Sequence, residues 1–252
     1  MMHYGQFCPI AKAAEIVAER WTPLVLHELL AGSTRFSDIR RGVPLMSQTL
    51  LSTRLKELER IGIVERRGEG KRSREWYLTE AGQALGPVIH QLGTWGLQYA
   101  QNPLQEGDLD VTVMMWNVKR RVDPSIFPGR RTVVCFEFTD VTEDRRRWWL
   151  VNELDAVDLC AFDPGFPVDL YVTTDMRTMI EIWFGRLAWE AGVRSGKVEV
   201  IGPRQLRERL RFWFLLSPVV EKYDVAPRIN TPVSPRAGAA GTVRRPVSLH
   251  QR

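Results

Sequence analysis

The sequence has few residues of the kinds that metal sites and disulfide frameworks require. Three cysteines and four histidines occur in 252 residues, and none of them has a partner at metal-ligand spacing. No metal site or disulfide framework is therefore expected, and a reducing cytoplasm is the predicted compartment. Apolar runs fall short of the roughly 18 residues that a membrane helix needs, and the N-terminus lacks the basic and apolar regions of a secretory signal.

The sequence motifs of common enzymes are also missing. It contains no G-x-S-x-G elbow, no G-x-x-x-x-G-K-[ST] phosphate loop and no G-x-G-x-x-G dinucleotide fingerprint. Paired carboxylates such as Asp155 and Asp158 have no base beside them and are typical of loop charges. We therefore predict that the protein is not an enzyme and that it uses no cofactor.

The composition is that of an ordinary folded protein, with 44% apolar and 26% charged residues. Changes in pattern predict four segments. Residues 1–101 form a mostly helical domain, and the breaker-rich stretch 102–108 forms a linker. Residues 109–226 mix strands and helices, and the proline-rich basic stretch 227–252 has no acid and is predicted to be disordered. The net charge of +5 rests mainly on arginine, which suggests coding bias as much as phosphate binding.

A helix that begins after Ser47 has two contrasting faces. Leu51, Leu55, Leu58 and Ile61 form a stripe at helical spacing, and Gly62 follows as the left-handed cap. The other face carries short or basic hydrogen-bonding side chains: Gln48, Thr49, Ser52, Thr53 and Lys56, with Arg54 at the flank. Such a face is most often simply solvated, so it does not by itself establish a binding surface.

The flanking segments complete a winged helix-turn-helix pattern. Three helices are predicted before the helix that follows Ser47. The first covers residues 9–19, the second begins from an N-cap at Thr22, and the third covers residues 38–41 after a cap at Ser37. Residues 63–67 and 73–78 are predicted to form a hairpin whose tip and flanks carry the basic residues Arg66, Arg67, Lys71, Arg72 and Arg74. A helix of this kind fits the DNA major groove, and the cations of the hairpin can reach phosphates.

The motifs of this first domain resemble those of HxlR-type transcriptional regulators. The resemblance is carried by Cys8-Pro9-Ile10, Arg20-Trp21-Thr22, residues 35–39, 52–58, 62–66 and Tyr77-Leu78-Thr79-Glu80-Ala81-Gly82. It implies a bacterial regulator that binds double-stranded DNA as a homodimer through the helix after Ser47. Ser47 is expected among the DNA-binding residues. We expect base contacts from Gln48, Thr49, Ser52 and Thr53, and phosphate contacts from Arg54, Lys56 and the basic residues of the hairpin.

Two further features of this domain allow a functional and a structural interpretation. Thr79 is expected to cap a last helix that is broken near Gly86. Its apolar residues form either the dimer interface, which the resemblance favours, or a face that packs on its own domain. These residues are Leu85, Val88, Ile89, Leu92, Trp95, Leu97 and Tyr99.

Cys8 precedes a helix start, where backbone N–H groups can lower a thiol pKa. The resemblance implies a possible redox role for Cys8, and the alternative is a small, partly buried residue without one. Cys135 and Cys160 lie in apolar runs and are expected to be inert.

The second domain is predicted to be an antiparallel α+β domain. Residues 110–118 fit a strand or a helix, and strands are expected over 132–138, 147–151, 157–162, 168–173 and 197–202. Asp175 is expected to cap a helix, with two more over 188–193 and 203–214.

The motifs at 169–175, 183–186 and 191–202 resemble the sterol carrier protein type two-like fold. This resemblance implies an apolar tunnel lined by Phe136, Phe138, Trp148, Trp149, Met176, Met179, Ile180 and Trp183. The alternative is that these side chains fill a solid core.

The predicted fold class is therefore α+β, with a winged helix-turn-helix domain followed by an antiparallel-sheet domain of sterol-carrier-like architecture. The predicted function is that of a cytoplasmic, homodimeric transcriptional regulator that binds operator DNA, with a second domain that senses an apolar small molecule. No membrane partner is expected. The alternative is a lipid-binding or carrier protein whose winged helix serves dimerisation or protein docking.

Overall fold

The computed structural model describes residues 3–68, 75–100, 105–127, 131–153, 156–213 and 217. Their apolar side chains form two hydrophobic cores. The first draws on residues from Val25 to Ile89, and the second on residues from Val111 to Trp213. No helix in the described part of the chain is long and apolar enough to span a bilayer.

The first core is built from helices and a β-hairpin in the predicted order. Its elements are α1 (Pro9–Val17), α2 (Thr22–Leu30), α3 (Phe36–Gly42), α4 (Gln48–Arg60), β1 (Val64–Arg67), β2 (Glu75–Leu78), α5 (Glu80–Ala84) and α6 (Gly86–Tyr99). The strands β1 and β2 pair antiparallel. The winged helix-turn-helix prediction is therefore confirmed for this part of the chain.

Local capping chemistry explains why α4 begins and ends where it does. The Ser47 hydroxyl accepts a hydrogen bond from the Leu50 backbone N–H, which satisfies a donor that the first turn leaves free. At the other end Gly62 has a φ of 75°, a left-handed conformation that glycine adopts at little cost. Thr79 caps α5 in the same way through the Gly82 N–H. The predicted helix start after Ser47 and the predicted caps at Gly62 and Thr79 are therefore confirmed.

Two predicted caps are wrong. Thr22 is the first residue of α2 and not its N-cap, because the preceding residue, Trp21, takes the cap position with a φ of 74°. The turn from α1, closed by a bond from the Thr22 N–H to the Glu19 carbonyl, brings the helix start forward by one residue. Likewise α3 starts at Phe36, with Arg35 as its cap, so Ser37 lies inside the helix.

The second core lies between one sheet and several helices. Its elements are α7 (Val111–Arg121), β3 (Thr132–Phe138), β4 (Arg147–Glu153), β5 (Ala156–Cys160), β6 (Leu170–Thr174), α8 (Met176–Trp183), α9 (Trp189–Arg194), β7 (Val198–Ile201) and α10 (Arg204–Trp213). The ambiguous stretch after Asp110 is a helix, because the Asp110 carboxylate accepts bonds from the Thr112 and Val113 N–H groups and starts α7. Asp175 caps α8, as predicted.

The sheet of the second domain is mixed, so the prediction of an antiparallel sheet is wrong. Its strand order is β5-β4-β3-β6-β7, and β3 and β6 run parallel while the other neighbours run antiparallel. The cause is the connection 161–169. It leaves the edge strand β5 and crosses the sheet to the far side of β3, so that β6 starts from the same end as β3. The α+β class itself is confirmed.

Candidate nucleic-acid interface

The polar side of α4 faces solvent. Ser47, Gln48, Thr49, Thr53 and Lys56 are exposed, and Ser52 is half-buried. The opposite stripe of Leu51, Leu55 and Leu58 is at most 1% exposed and packs into the first core. We call Gln48, Thr49, Ser52, Thr53 and Lys56 the α4 polar face. No described part of the chain covers it, so its amide, hydroxyl and ammonium groups are accessible to a ligand.

Arg54 does not belong to this face, although it lies on the same helix. The residue is 6% exposed, and its guanidinium donates to Glu57 at 2.8 Å and to Glu19, in the turn between α1 and α2, at 3.0 Å. It follows Leu51 by one turn, so it points toward the buried side of α4. Its guanidinium therefore joins α4 to the turn between α1 and α2. Since both of its terminal nitrogens bind acids inside the domain, Arg54 is not among the proposed phosphate contacts.

The described part of the hairpin presents two arginines. Arg66 and Arg67 are exposed on β1, and their guanidinium carbons lie 5.1 Å and 4.7 Å from the ring centroids of Trp76 and Tyr77. Each donates to an acid, Arg66 to Glu59 and Arg67 to Glu65, both at 2.7 Å. Stacking on a ring restricts where each cation can reach. The other predicted basic residues of the hairpin, Lys71, Arg72 and Arg74, lie outside the described residues.

The apolar residues predicted for the last helix are divided between two environments. Ile89 is buried in the first core, and Leu85 and Leu97 are half-buried. The other four are 50–60% exposed and follow one another at helical spacing along α6: Val88, Leu92, Trp95 and Tyr99. We call these four the α6 stripe. A continuous exposed apolar surface of this kind is typical of an interface.

The residues predicted to line an apolar tunnel lie mainly in the second core. Seven of them, all but Trp149, are at most 9% exposed and pack in one cluster. Trp149 lies on the opposite face of β4 from Trp148, because successive strand residues alternate. A cleft of about 230 Å³ lies elsewhere and is lined by Gly107, Leu109, Asp110, Val111, Val141, Thr142 and Arg145.

The three cysteines are free thiols in different settings. Cys8 is half-buried at the N-cap of α1, and its side chain makes no capping hydrogen bond. Burial raises the pKa of Cys135 to about 11 and also raises the pKa of Cys160, so both stay protonated near neutral pH. The redox role of Cys8 stays a prediction, which thiol labelling before and after mild oxidation can check.

Sequence reasoning missed one polar cluster between the two domains. The carboxylate of Glu28 on α2 accepts hydrogen bonds from Trp116 and Arg120 on α7. The available signal was a lone acid inside the apolar run 24–30, where a charged side chain needs a buried partner. The identity of that partner could not be deduced, since it lies 92 residues further along the chain.

The first domain is similar to known regulators. The model of the HxlR-like helix-turn-helix family matches residues 16–103. YvaP, an uncharacterized HTH-type transcriptional regulator of Bacillus subtilis, is 39% identical over 101 residues, which are 39% of this chain and 94% of YvaP. YodB, an HTH-type transcriptional regulator of the same species, is 37% identical over 97 residues, which are 37% of this chain and 87% of YodB.

A solved structure is similar to about a third of this chain. The crystal structure of quinone-bound YodB from B. subtilis is 38% identical, with a TM-score of 0.32, and the match covers 35% of this chain and 96% of that one. The family model ends at residue 103, so it does not identify the second domain.

The different settings of Arg54 and Lys56 predict different effects on stability. Arg54→Met removes two hydrogen bonds between charged groups, and we expect it to lower the free energy of unfolding by about 2 kcal/mol. Lys56→Met is the matched control, because it removes the same charge from an exposed site of the same helix, and we expect a change within about 0.5 kcal/mol. Chemical denaturation measures both. Equal effects of the two variants would contradict the assignment of Arg54 to the domain interior.

Proposed function

Since the chain belongs to the HxlR-like helix-turn-helix family of transcriptional regulators, we propose that it binds operator DNA as a homodimer through α4. The family is one of regulators and not of enzymes, and its helix-turn-helix implies DNA as the partner. The observation that carries the proposal is the α4 polar face, which is solvent-exposed along the helix next to an arginine-bearing hairpin.

The dimensions and chemistry of α4 suit the major groove. A helix with its side chains is about 10–12 Å wide, and the major groove is about 12 Å wide. Amide and hydroxyl groups at Gln48, Thr49, Ser52 and Thr53 can donate to and accept from base edges, so these side chains are assigned to sequence reading. Ser47 lies where the helix enters the groove.

The cations around this face are assigned to the phosphates. Lys56 lies on α4 itself, and Arg66 and Arg67 lie on the adjacent strand β1. The sequence adds Lys71, Arg72 and Arg74 from the hairpin tip to the same proposal. Phosphate contacts set affinity and register but do not select sequence, so the two groups of residues have separable effects.

The α6 stripe supports the proposal of a homodimer. It leaves four large apolar side chains exposed on one side of α6, and the rings of Trp95 and Tyr99 lie 6.0 Å apart. Packing two such stripes about a two-fold axis removes both from water. A two-fold dimer would present its two α4 helices to half-sites about 34–36 Å apart.

We propose for the second domain that it senses an apolar small molecule, as its resemblance to the sterol carrier fold suggests. The candidate residues pack against one another in the second core, so a ligand would have to rearrange them, and the flexible side chains of Met176 and Met179 are suited to such a rearrangement. A ligand of this kind could regulate only by binding the DNA-competent and DNA-incompetent forms unequally.

The alternative function is that of a carrier whose winged helix serves dimerisation or docking. Native mass spectrometry of protein purified without detergent separates the two proposals when it is combined with DNA selection. A regulator is expected to select a DNA sequence whether or not it carries a ligand. A carrier is expected to hold a lipid at stoichiometric amounts and to select no DNA.

Substitutions on α4 test the division between base and phosphate contacts. We select a binding sequence from random duplexes with the wild-type protein and then measure affinity against salt concentration. Gln48→Ala should lose about 1–3 kcal/mol of discrimination at one base position. Lys56→Ala should lower the slope of log affinity against log salt by about one unit and leave the sequence preference unchanged.

The control for these substitutions is Lys197→Ala, which removes an exposed lysine from the second domain. Its slope and preference should equal those of the wild type. The assignment of separate base and phosphate contacts is wrong if Gln48→Ala and Lys56→Ala lower the affinities for the selected and for random DNA by the same factor and change the salt slope equally.

A charge in the α6 stripe tests the dimer. Leu92→Glu places a carboxylate in the proposed apolar interface, and we expect it to shift the protein from dimer to monomer in sedimentation experiments at micromolar concentration. The matched control is Ile201→Glu, since Ile201 is similarly exposed, at 55%, on β7. A wild-type protein that sediments as a monomer, or a Leu92→Glu variant that stays dimeric, would contradict the proposal.

A further inference from the structure

A buried carboxylate of the first domain is bound by groups of the second. Glu28 on α2 is 3% exposed. Its two oxygens accept from the two terminal nitrogens of Arg120 at 2.9 Å and 3.2 Å, and one of them also accepts from the indole N–H of Trp116 at 3.2 Å. A paired arrangement of this kind fixes both the distance and the orientation of the two side chains.

The first domain surrounds the same carboxylate closely. The Ser33 hydroxyl donates to it at 3.2 Å. At Gly42, the last residue of α3, a Cβ atom would lie 1.9 Å from the Glu28 Cδ atom, so the carboxylate packs directly on the glycine backbone. The carboxylate of Glu28 is therefore the point at which α2, α3 and α7 meet.

Helix α7 is held firmly on the side of the second domain. Met115 and Val118 are at most 1% exposed and belong to the second core. The guanidinium of Arg120 also donates to Asn117, one turn earlier in α7, at 2.5 Å, which limits its rotation. A second contact crosses the same boundary, since the Arg41 guanidinium carbon of α3 lies 5.3 Å from the centroid of the Trp116 ring.

Helix α3 connects this junction to α4, the helix that is proposed to contact DNA. The turn 43–47 joins α3 directly to α4, and Val43 and Met46 in that turn are 2% exposed, so the turn is packed and not free to absorb a movement of α3. A shift of α7 that displaces Glu28 or Gly42 would therefore be transmitted through this packed turn to α4.

We propose that Glu28 and Arg120 are positioning residues for DNA binding, through which the second domain holds α2 and α3, and with them α4, in the arrangement that fits the operator. The inference rests on the proposed function. It assigns to α7 the task of carrying a signal between the domains, because a buried ion pair is stable only while both partners stay in place. An event in the second domain that displaces Arg120 would weaken DNA binding without touching any DNA-contacting side chain.

Three substitutions disturb the junction in different ways. Glu28→Gln removes the charge and keeps the shape, Arg120→Met removes the partner, and Gly42→Ala displaces the carboxylate while both charges remain. We expect each to lower the affinity for the selected duplex by about tenfold. The salt slope should stay at its wild-type value, since no phosphate contact is lost. The double variant Glu28→Gln/Arg120→Met should bind no more weakly than either single variant, because one junction can be broken only once.

The matched control is Lys119→Met. Lys119 precedes Arg120 on α7 and its ammonium lies 5.4 Å from the centroid of the same Trp116 ring, so this variant loses the same charge beside the junction without losing the bond to Glu28. We expect less than a twofold change in affinity. Circular dichroism and chemical denaturation establish that each variant is folded at the assay temperature. If one of the single variants is not folded, the affinities of the double variant and of Gly42→Ala test the inference instead.

The outcomes separate the two proposals. A wild-type protein that selects no duplex overturns the proposed function and this inference with it. If the wild-type protein binds the selected duplex, and the folded junction variants bind it as tightly as Lys119→Met does, this inference alone is overturned. A tenfold loss accompanied by a lower salt slope also overturns it, because Arg120 would then be a phosphate contact.

Discussion

The burial of one side of α4 determines how the rest of the first domain is used. Leu51, Leu55 and Leu58 are removed from water by packing with apolar side chains of α2, α3, the hairpin and Ile89 of α6. Since side chains on a helix keep fixed angular positions, burying this stripe turns the α4 polar face outward. The exposed polar groups are therefore a consequence of core packing, and the same packing gives the helix the rigidity that reading a groove requires.

Charged groups in the first domain fall into two classes that their sequence positions do not distinguish. Arg54 and Glu28 are charged, yet both are buried and paired inside the protein. Lys56, two residues beyond Arg54, is exposed. Partners decide the class: Arg54 has Glu19 and Glu57 within reach, and Glu28 has Arg120. Buried charges of this kind hold elements in a defined arrangement, whereas an exposed charge such as that of Lys56 can be reached by a ligand.

In the second domain the strands were predicted correctly, but the direction of one of them, and with it the sheet topology, was not. The strand β3 was predicted at its observed limits, and the other strands within a few residues, because alternation and β-branched side chains are local signals. The direction of β6 depends on where the connection 161–169 takes the chain, and no local pattern carries that information. The alternation along β4 similarly places Trp148 in the core and Trp149 on the other face.

What the sequence determined by itself were the features whose causes lie within a few residues. The cap at Ser47, the left-handed glycine at position 62, the stripe on α4 and the order of helices and hairpin follow from hydrogen bonding and periodicity inside short segments. Only the tertiary structure decided the pairing of Arg54, the parallel contact of β3 with β6 and the junction at Glu28. These depend on residues brought together from distant parts of the chain, and packing and charge neutralisation choose such partners only once the whole chain has folded.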